Sequence, residues 1–122
     1  MRLIIHLSHP KGASVNDGIE PELCTLKYAS VDKAAVLSLG RGALLAKLDV
    51  ESTYRILPVH PEDCLLLGMS WQGKMYVDTA LPFGPRSAPK IFSAVADALQ
   101  WALEGRRVKV IHYLDDFLLF QL

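Results

Sequence analysis

The sequence has very little cysteine, and what it has forms no pattern. Cys24 and Cys64 are far apart and belong to no CxxC or Cys/His cluster, which argues against a zinc site and against a disulfide framework. The four histidines show no metal-ligand spacing either, so we expect them to be surface or packing residues. Reduced thiols are typical of an intracellular protein, and we expect a cytoplasmic or nuclear location without secretion.

The sequence also lacks an excess of charge and a long apolar run. Its 13 basic and 13 acidic side chains cancel, so no overall field attracts nucleic acid or an anionic membrane. No apolar run is long enough to span a bilayer, and the opening MRLIIHLSHP is too short for a signal-peptide core. We therefore expect no membrane association.

Of the 122 residues, 51% are hydrophobic, which is enough for the core of one compact domain. A helix is predicted from Ser30, a suitable N-cap, to a stop at Gly40. The stretch ALLAKLDV predicts a buried strand that ends at Asp49, although a helical turn fits the same pattern. Farther on, CLLLGMSWQGKMYVDTAL has two apolar runs around QGK, which predicts a hairpin.

The last third of the chain carries the strongest helical pattern. A helix is predicted from Lys90 to Glu104, before a stop at Gly105. Its predicted apolar face consists of Ile91, Phe92, Val95, Ala98, Leu99, Ala102 and Leu103. The segment RVKVIHYLDDFLLFQL then predicts strand, tight turn and strand. These elements together indicate an α+β domain with a mainly antiparallel sheet and helices on one face.

Two adjacent carboxylates, Asp115 and Asp116, lie at the tip of that last hairpin in the stretch HYLDDFLLF. Aspartate is a common turn former, so a hairpin loop that faces water is one interpretation. The other is a site for a divalent cation, with Asp49 at its strand end as a third ligand. Carboxylates so close together repel each other unless a cation relieves the repulsion. Magnesium takes such hard oxygen ligands, and two ions can clamp an in-line phosphoryl displacement.

Several motifs together resemble one family. KLDVESTY, LPFGPRSAPKIF and YLDD occur in the order and at about the separation of the palm motifs of reverse transcriptases, and RLIIHLSHPKGASVND resembles the fingers block before them. The stretches ILPVHPED, LLGMSWQGKMYVD and SAPKIFSAVADAL most resemble DIRS-type and gypsy-like retrotransposon polymerases rather than retroviral ones. The resemblance covers nearly the whole chain. It implies partial fingers with a connecting helix in residues 1–43 and a palm core in residues 44–122.

The activity that this resemblance implies is RNA-directed DNA polymerisation. A primer 3′-hydroxyl attacks the α-phosphate of a deoxynucleoside triphosphate, and an RNA or DNA template selects the base. The family uses two Mg²⁺ or Mn²⁺ ions. By resemblance, Asp49 and Asp115 are metal ligands, the backbone carbonyl of Val50 is a further ligand, and Asp116 completes the motif and supports the site electrostatically.

The resemblance also implies nucleotide-binding residues, each with a simpler alternative. Tyr54 matches an aromatic ring beneath the incoming sugar that excludes a 2′-hydroxyl, whereas a core tyrosine is the alternative. Phe83 and Gly84 match a loop that lines the nucleotide pocket, although an ordinary turn has the same composition. Arg2 matches a fingers arginine that reaches the phosphates, and a solvated terminus is the alternative.

The chain departs from the family pattern at a few positions. His6 replaces a usual Asp, and Pro85 replaces a common Leu. Because the sequence begins inside the fingers and ends after YLDDFLLF, we expect the thumb, primer grip and RNase H regions to belong to a longer polyprotein. The alternative is a catalytically inactive remnant of a retroelement with at most residual metal or nucleic-acid binding.

Three expectations concern residues outside these motifs. The basic residues Arg106, Arg107 and Lys109 are expected to form a charged turn, although they could touch a phosphate backbone. Replacement of Asp63 or Asp78 by asparagine is expected to leave metal binding unchanged. The final strand FLLFQL is expected to lack neighbours and so to pair with another copy of the chain.

Overall fold

A computed structural model of the chain describes residues 3–37 and 44–121. Within these ranges the chain forms two compact units. The first contains residues 3–25 and Ser52–Lys90, and the second contains the described parts of Leu26–Glu51 and residues 91–121. The predicted boundary between residues 43 and 44 adjoins the undescribed range and stays a prediction.

The second unit contains a three-stranded antiparallel sheet with the order β1-β5-β4. Strand β1 is Leu44–Asp49, β4 is Lys109–Tyr113 and β5 is Asp116–Gln121. The predicted strand, turn and strand at the end of the chain are thus confirmed. Our expectation that FLLFQL lacks neighbours is wrong, because β5 is the central strand and pairs with β1 on one side and β4 on the other.

Strand β1 forms as predicted and ends at Asp49, but the prediction that it is buried is wrong. All six of its residues are exposed, and Leu44, Leu45 and Leu48 expose 68%, 57% and 54% of their surface. The reason is its position at an edge of the sheet, where the described residues leave its apolar side chains uncovered. An apolar run indicates that a strand favours burial, but whether other residues pack over its side chains depends on the rest of the structure.

Helix α1 occupies Val31–Leu37, and its predicted N-cap is confirmed, because the Ser30 hydroxyl accepts a hydrogen bond from the Lys33 amide at 3.2 Å. The predicted stop at Gly40 lies outside the described residues. No helix in the described ranges is both long and apolar enough to cross a bilayer.

Helix α2 occupies Ala88–Glu104, so it begins slightly before the predicted start at Lys90 and ends where predicted. The residue that turns the chain afterwards in the left-handed conformation is Arg107, with φ 63°, rather than Gly105. This position agrees with the charged-turn interpretation of the basic residues.

The predicted apolar face of α2 is only partly correct. Phe92 and Ala96 are completely buried, as is nearly all of Ala88, one turn apart from each other. By contrast, Ile91 and Leu99 remain 45% and 43% exposed, and Ala98 and Ala102 are also exposed. The buried stripe follows the i, i+4 spacing and is narrower than the sequence pattern indicated.

The first unit contains a two-stranded hairpin of β2 (Gly68–Trp71) and β3 (Lys74–Val77), which confirms the hairpin predicted around QGK. Gln72 and Gly73 connect the strands with φ of 49° and 72°, as a type I′ turn requires. Helices and antiparallel strands mix in the two units, which confirms the α+β class.

Candidate active site

The carboxylates of two distant motifs meet at one end of the three-stranded sheet. Asp49, the last residue of β1, is the register partner of Asp116, the first residue of β5. Next to this pair, the Val50 amide donates a hydrogen bond to the Asp115 carbonyl at 3.0 Å. The predicted convergence of Asp49 with Asp115 and Asp116 is therefore present in the backbone of the sheet.

The β4–β5 turn determines where the two neighbouring aspartates lie. Tyr113 and Asp116 are register partners, so the turn itself consists of Leu114 and Asp115. Leu114 adopts the left-handed conformation with φ 53°, which a non-glycine residue rarely does. Asp115 is therefore at the tip, whereas Asp116 belongs to the strand and shares a face with Asp49.

A lysine that sequence reasoning missed lies on the same face. Side chains alternate along a strand, so Lys47 and Asp49 point to one side of β1. The Lys47 ammonium forms an ion pair with Asp116, with 3.0 Å between Nζ and Oδ1. The available signal was the spacing in KLDV, which places a cation two strand positions before the first aspartate.

The electrostatics of Lys47 reflect all three carboxylates. The pKa of Lys47 is raised, first by its hydrogen bond to Asp116, then by the charge of Asp116, and further by the charges of Asp49 and Asp115. A single ammonium thus experiences the field of the whole carboxylate group. Because 65% of the Lys47 side chain and 46% of the Asp116 side chain are exposed, water screens this interaction.

The donor chemistry at this end of the sheet fits magnesium, since carboxylates and a backbone carbonyl are hard oxygen ligands. The side chains are not yet arranged around an ion. In the described ranges, no three His, Cys, Asp or Glu side chains form a group that could hold a metal as they stand, and Asp116 is engaged with Lys47. Metal binding would therefore require these side chains to rearrange.

Tyr54 and Phe83, two predicted nucleotide-binding residues, lie in the first unit and pack against each other. Tyr54 belongs to the short 3₁₀ helix Thr53–Ile56 and is only 8% exposed. Its ring centroid lies 4.8 Å from that of Phe83, with 39° between the ring planes. This burial agrees with the core interpretation of Tyr54, and its role in sugar selection stays a prediction.

Gly84 lies where the backbone passes very close to another segment of the first unit. Its φ is 145°, and a Cβ atom at this position would collide with the Ile5 carbonyl oxygen. The neighbouring backbone is held by a hydrogen bond from the Ile5 amide to the Phe83 carbonyl at 2.8 Å. Glycine is therefore required here by a contact within the chain itself.

The loop that contains Phe83 and Gly84 is held by Asn16, a buried residue that sequence reasoning missed. The Asn16 amide group donates to the Gly84 carbonyl at 3.0 Å and to the Ser8 hydroxyl at 2.8 Å. Its carbonyl oxygen accepts a hydrogen bond from the Arg86 amide at 2.8 Å. The only local signal was the turn-rich stretch SVND, which does not reveal a partner so far along the chain.

Asp63 and Asp78, two acidic residues outside the motifs, differ in their exposure to water. Asp63 is exposed, as suits a replaceable residue. Asp78 is buried and pairs with Arg55 at 2.5 Å, so its replacement by asparagine should cost stability, whereas its effect on metal binding stays a prediction. The position of Asp78 directly after strand β3 gave no indication that its carboxylate would be buried. Arg2 lies outside the described residues.

The packing role expected of the histidines is confirmed for His112. Only 9% of its side chain is exposed, and its Nε2 lies 2.9 Å from Asp97 Oδ1 on helix α2. Its ring stacks on Phe117, with 5.3 Å between the ring centroids. His112 therefore joins the central sheet to α2.

Comparison with known proteins finds similarity to proteins of foamy viruses. No protein-family model matches it. The Pro-Pol polyprotein of feline foamy virus is 36% identical over 64 residues, which are 52% of this chain and 6% of the polyprotein. The crystal structure of prototype foamy virus protease-reverse transcriptase (native) matches with a TM-score of 0.64 and 26% identity, over 87% of this chain and 13% of that one.

A further match is the foamy viral protease-reverse transcriptase in complex with double-stranded DNA. Its TM-score is 0.62 at 23% identity, over 78% of this chain and 16% of that one, and at this identity the likeness shows the fold alone. The chain thus spans a small part of the length of these proteins. It is similar in sequence to foamy-virus Pro-Pol polyproteins and in fold to the foamy-virus protease-reverse transcriptase.

Proposed function

We propose that the chain carries the polymerase core of a retroelement reverse transcriptase and takes part in template-directed DNA synthesis. The observation that carries this proposal is the register of the sheet, which pairs Asp49 of KLDV with Asp116 of YLDD. Two motifs that resemble the metal-binding motifs of reverse transcriptases are thus adjacent in space. The similarity to foamy-virus polyproteins supports the same assignment.

In this proposal, Asp49, Asp115 and the carbonyl oxygen of Val50 would hold two Mg²⁺ or Mn²⁺ ions. These ions, when bound, would neutralise the charge that develops on the transferred phosphoryl group. Asp116 would add negative charge on the Asp49 side of the sheet. The pairing of β1 with β5 brings the backbones of the two motifs together before substrate arrives, and positioning supplies much of the rate enhancement in phosphoryl transfer.

The partners would be an RNA or DNA template with its primer and deoxynucleoside triphosphates. The motivation is the sequence resemblance, together with the likeness in fold to a foamy viral protease-reverse transcriptase solved in complex with double-stranded DNA. Thumb and RNase H regions would be supplied by a longer polyprotein. The finer assignment to DIRS-type or gypsy-like retrotransposons rests on the sequence resemblance alone and is part of this proposal.

A second candidate function is that of an inactive remnant that retains at most weak metal or nucleic-acid binding. The observation in its favour is that no three His, Cys, Asp or Glu side chains among the described residues are arranged to hold a metal. The two candidates differ in whether the carboxylates still bind a divalent ion and support turnover.

The test is a titration of the purified chain with Mn²⁺, in which the free ion is measured by electron paramagnetic resonance. Asp49→Asn and Asp115→Asn should each weaken binding by about tenfold or more. Asp63→Asn, an exposed control, should bind like the wild type. Equal binding by all four proteins would refute the metal site. We expect the isolated chain not to extend a primer, so a primer-extension assay in Mg²⁺ on a protein that also contains a thumb, with Asp115→Asn as the blank, then separates an active polymerase from a remnant.

A further inference from the structure

Lys47 is a lysine of β1 that forms an ion pair at the candidate metal site. It lies two positions before Asp49 on the same face of β1, and its ammonium is 3.0 Å from Asp116 Oδ1. We propose that Lys47 is a built-in counter-ion, which occupies the cation position beside Asp116 in the metal-free protein and gives it up to a divalent ion. This inference rests on the proposed metal site.

Charge explains why such a residue belongs at this end of the sheet. The register makes Asp49 and Asp116 direct cross-strand neighbours, and like charges in that arrangement destabilise a sheet. The Lys47 ammonium offsets this repulsion when no metal is present. Without Lys47, the metal-free protein would have to close β1 onto β5 with one cation fewer to offset the repulsion between Asp49 and Asp116.

Exposure explains why the lysine can leave. Both partners of the ion pair remain accessible to water, at 65% for Lys47 and 46% for Asp116, and exposed ion pairs are weak. The ammonium sits on a flexible four-carbon stem, so it can move away while the backbone stays in place. A divalent ion carries twice the charge and binds several oxygen atoms at once, and it therefore displaces the ammonium.

Two effects of opposite sign follow for Lys47→Met. In EDTA the variant should unfold at a lower temperature than the wild type, because the carboxylate repulsion is no longer offset. In the Mn²⁺ titration it should bind about two- to fivefold more tightly, because no internal cation competes with the ion. Saturating Mn²⁺ should therefore abolish or reverse the difference in unfolding temperature.

Two variants serve as controls. Lys47→Arg keeps the charge and should resemble the wild type in both measurements. Lys109→Met removes an exposed lysine at the opposite end of the same sheet, where it pairs with Phe120. That change should leave the Mn²⁺ affinity unchanged. Any change in its unfolding temperature should be small and should be the same in EDTA and in Mn²⁺.

The outcomes separate this inference from the proposed function. If the wild type binds Mn²⁺ and Lys47→Met binds it equally well or more weakly, Lys47 does not compete with the metal and the counter-ion role is refuted, while the metal site survives. If neither the wild type nor Lys47→Met binds Mn²⁺, both the metal site and the competition are refuted. A loss of stability in Lys47→Met that is the same in EDTA and in saturating Mn²⁺ would show a purely structural lysine.

Discussion

Asp49 and Asp116 are direct register partners across β1 and β5, although they belong to motifs at distant positions in the chain. Their proximity depends on one strand pairing, and a shift by one residue would send one of the two side chains to the other face of the sheet. The adjacent hydrogen bond from the Val50 amide to the Asp115 carbonyl helps to maintain that register. The arrangement of the candidate metal site therefore depends on the register in which these two strands pair.

Tyr54 should select the sugar through its ring rather than its hydroxyl. In a polymerase that contains this chain and its thumb, Tyr54→Val should reduce discrimination against ribonucleotides by about tenfold or more, because the steric conflict with the 2′-hydroxyl is lost. Tyr54→Phe preserves the ring that packs on Phe83 and should retain discrimination. The measurement is single-nucleotide incorporation with matched deoxy- and ribonucleotides. Unchanged selectivity in Tyr54→Val would make Tyr54 a packing residue only.

Asn16→Ala should destabilise the chain by about 2 kcal/mol, because it leaves the Gly84 carbonyl and the Arg86 amide without their partner. Asn16→Asp should also be destabilising, since a carboxylate cannot donate to the Gly84 carbonyl. The measurement is urea unfolding followed by circular dichroism. A loss below about 0.5 kcal/mol for both variants would mean that water replaces the lost hydrogen bonds.

Asp78→Asn should lower the free energy of unfolding by about 1–2 kcal/mol, because it removes the negative partner of Arg55 from a buried position. The loss stays below that of a fully buried pair, since 43% of the Arg55 side chain is exposed. Asp63→Asn, at an exposed position, should remain within about 0.5 kcal/mol of the wild type in the same urea titration. Equal stability of the two variants would contradict the assigned ion pair.

The ionisation of Asp17 should make the stability of the folded chain depend on pH in the acid range. The Ser14 hydroxyl and the Ser14 and Gly12 amides donate to its carboxylate and lower its pKa from the ordinary value of 3.8. A lowered pKa contributes stability that is complete above the ordinary value and is lost as the pH falls through the folded-state value. Wild type and Asp17→Ala should therefore differ in unfolding temperature at pH 6, and the difference should shrink as the pH is lowered below the ordinary pKa of 3.8. A difference that does not change between these conditions would exclude the ionised carboxylate as its cause.

Self-association should depend on β1 rather than on the final strand. Leu45 is 57% exposed on an edge strand, where free backbone groups can pair with another copy. Leu45→Lys should therefore lower the average mass measured by light scattering. Leu65 is 79% exposed but lies outside the strands, so Leu65→Lys should have a smaller effect. An equal reduction in both variants would indicate general hydrophobicity instead of edge pairing.

The sequence by itself determined the local structure and the order of the motifs. The Ser30 cap and the turn at Gln72 and Gly73 both occur as predicted, because caps and tight turns depend on residues within a few positions of each other. The end of β1 at Asp49 was also predictable, and so was the collinear series of motifs that resembles reverse transcriptases.

Only the tertiary structure decided which strands are covered and which side chains meet. It made β5 the central strand, left β1 exposed at an edge and directed Lys47 to Asp116. It also placed Asn16 beneath the loop at Gly84. Each of these outcomes joins segments that are far apart in the chain, and strand order and register are set by the burial and pairing of the whole sheet, which no local stretch of sequence contains.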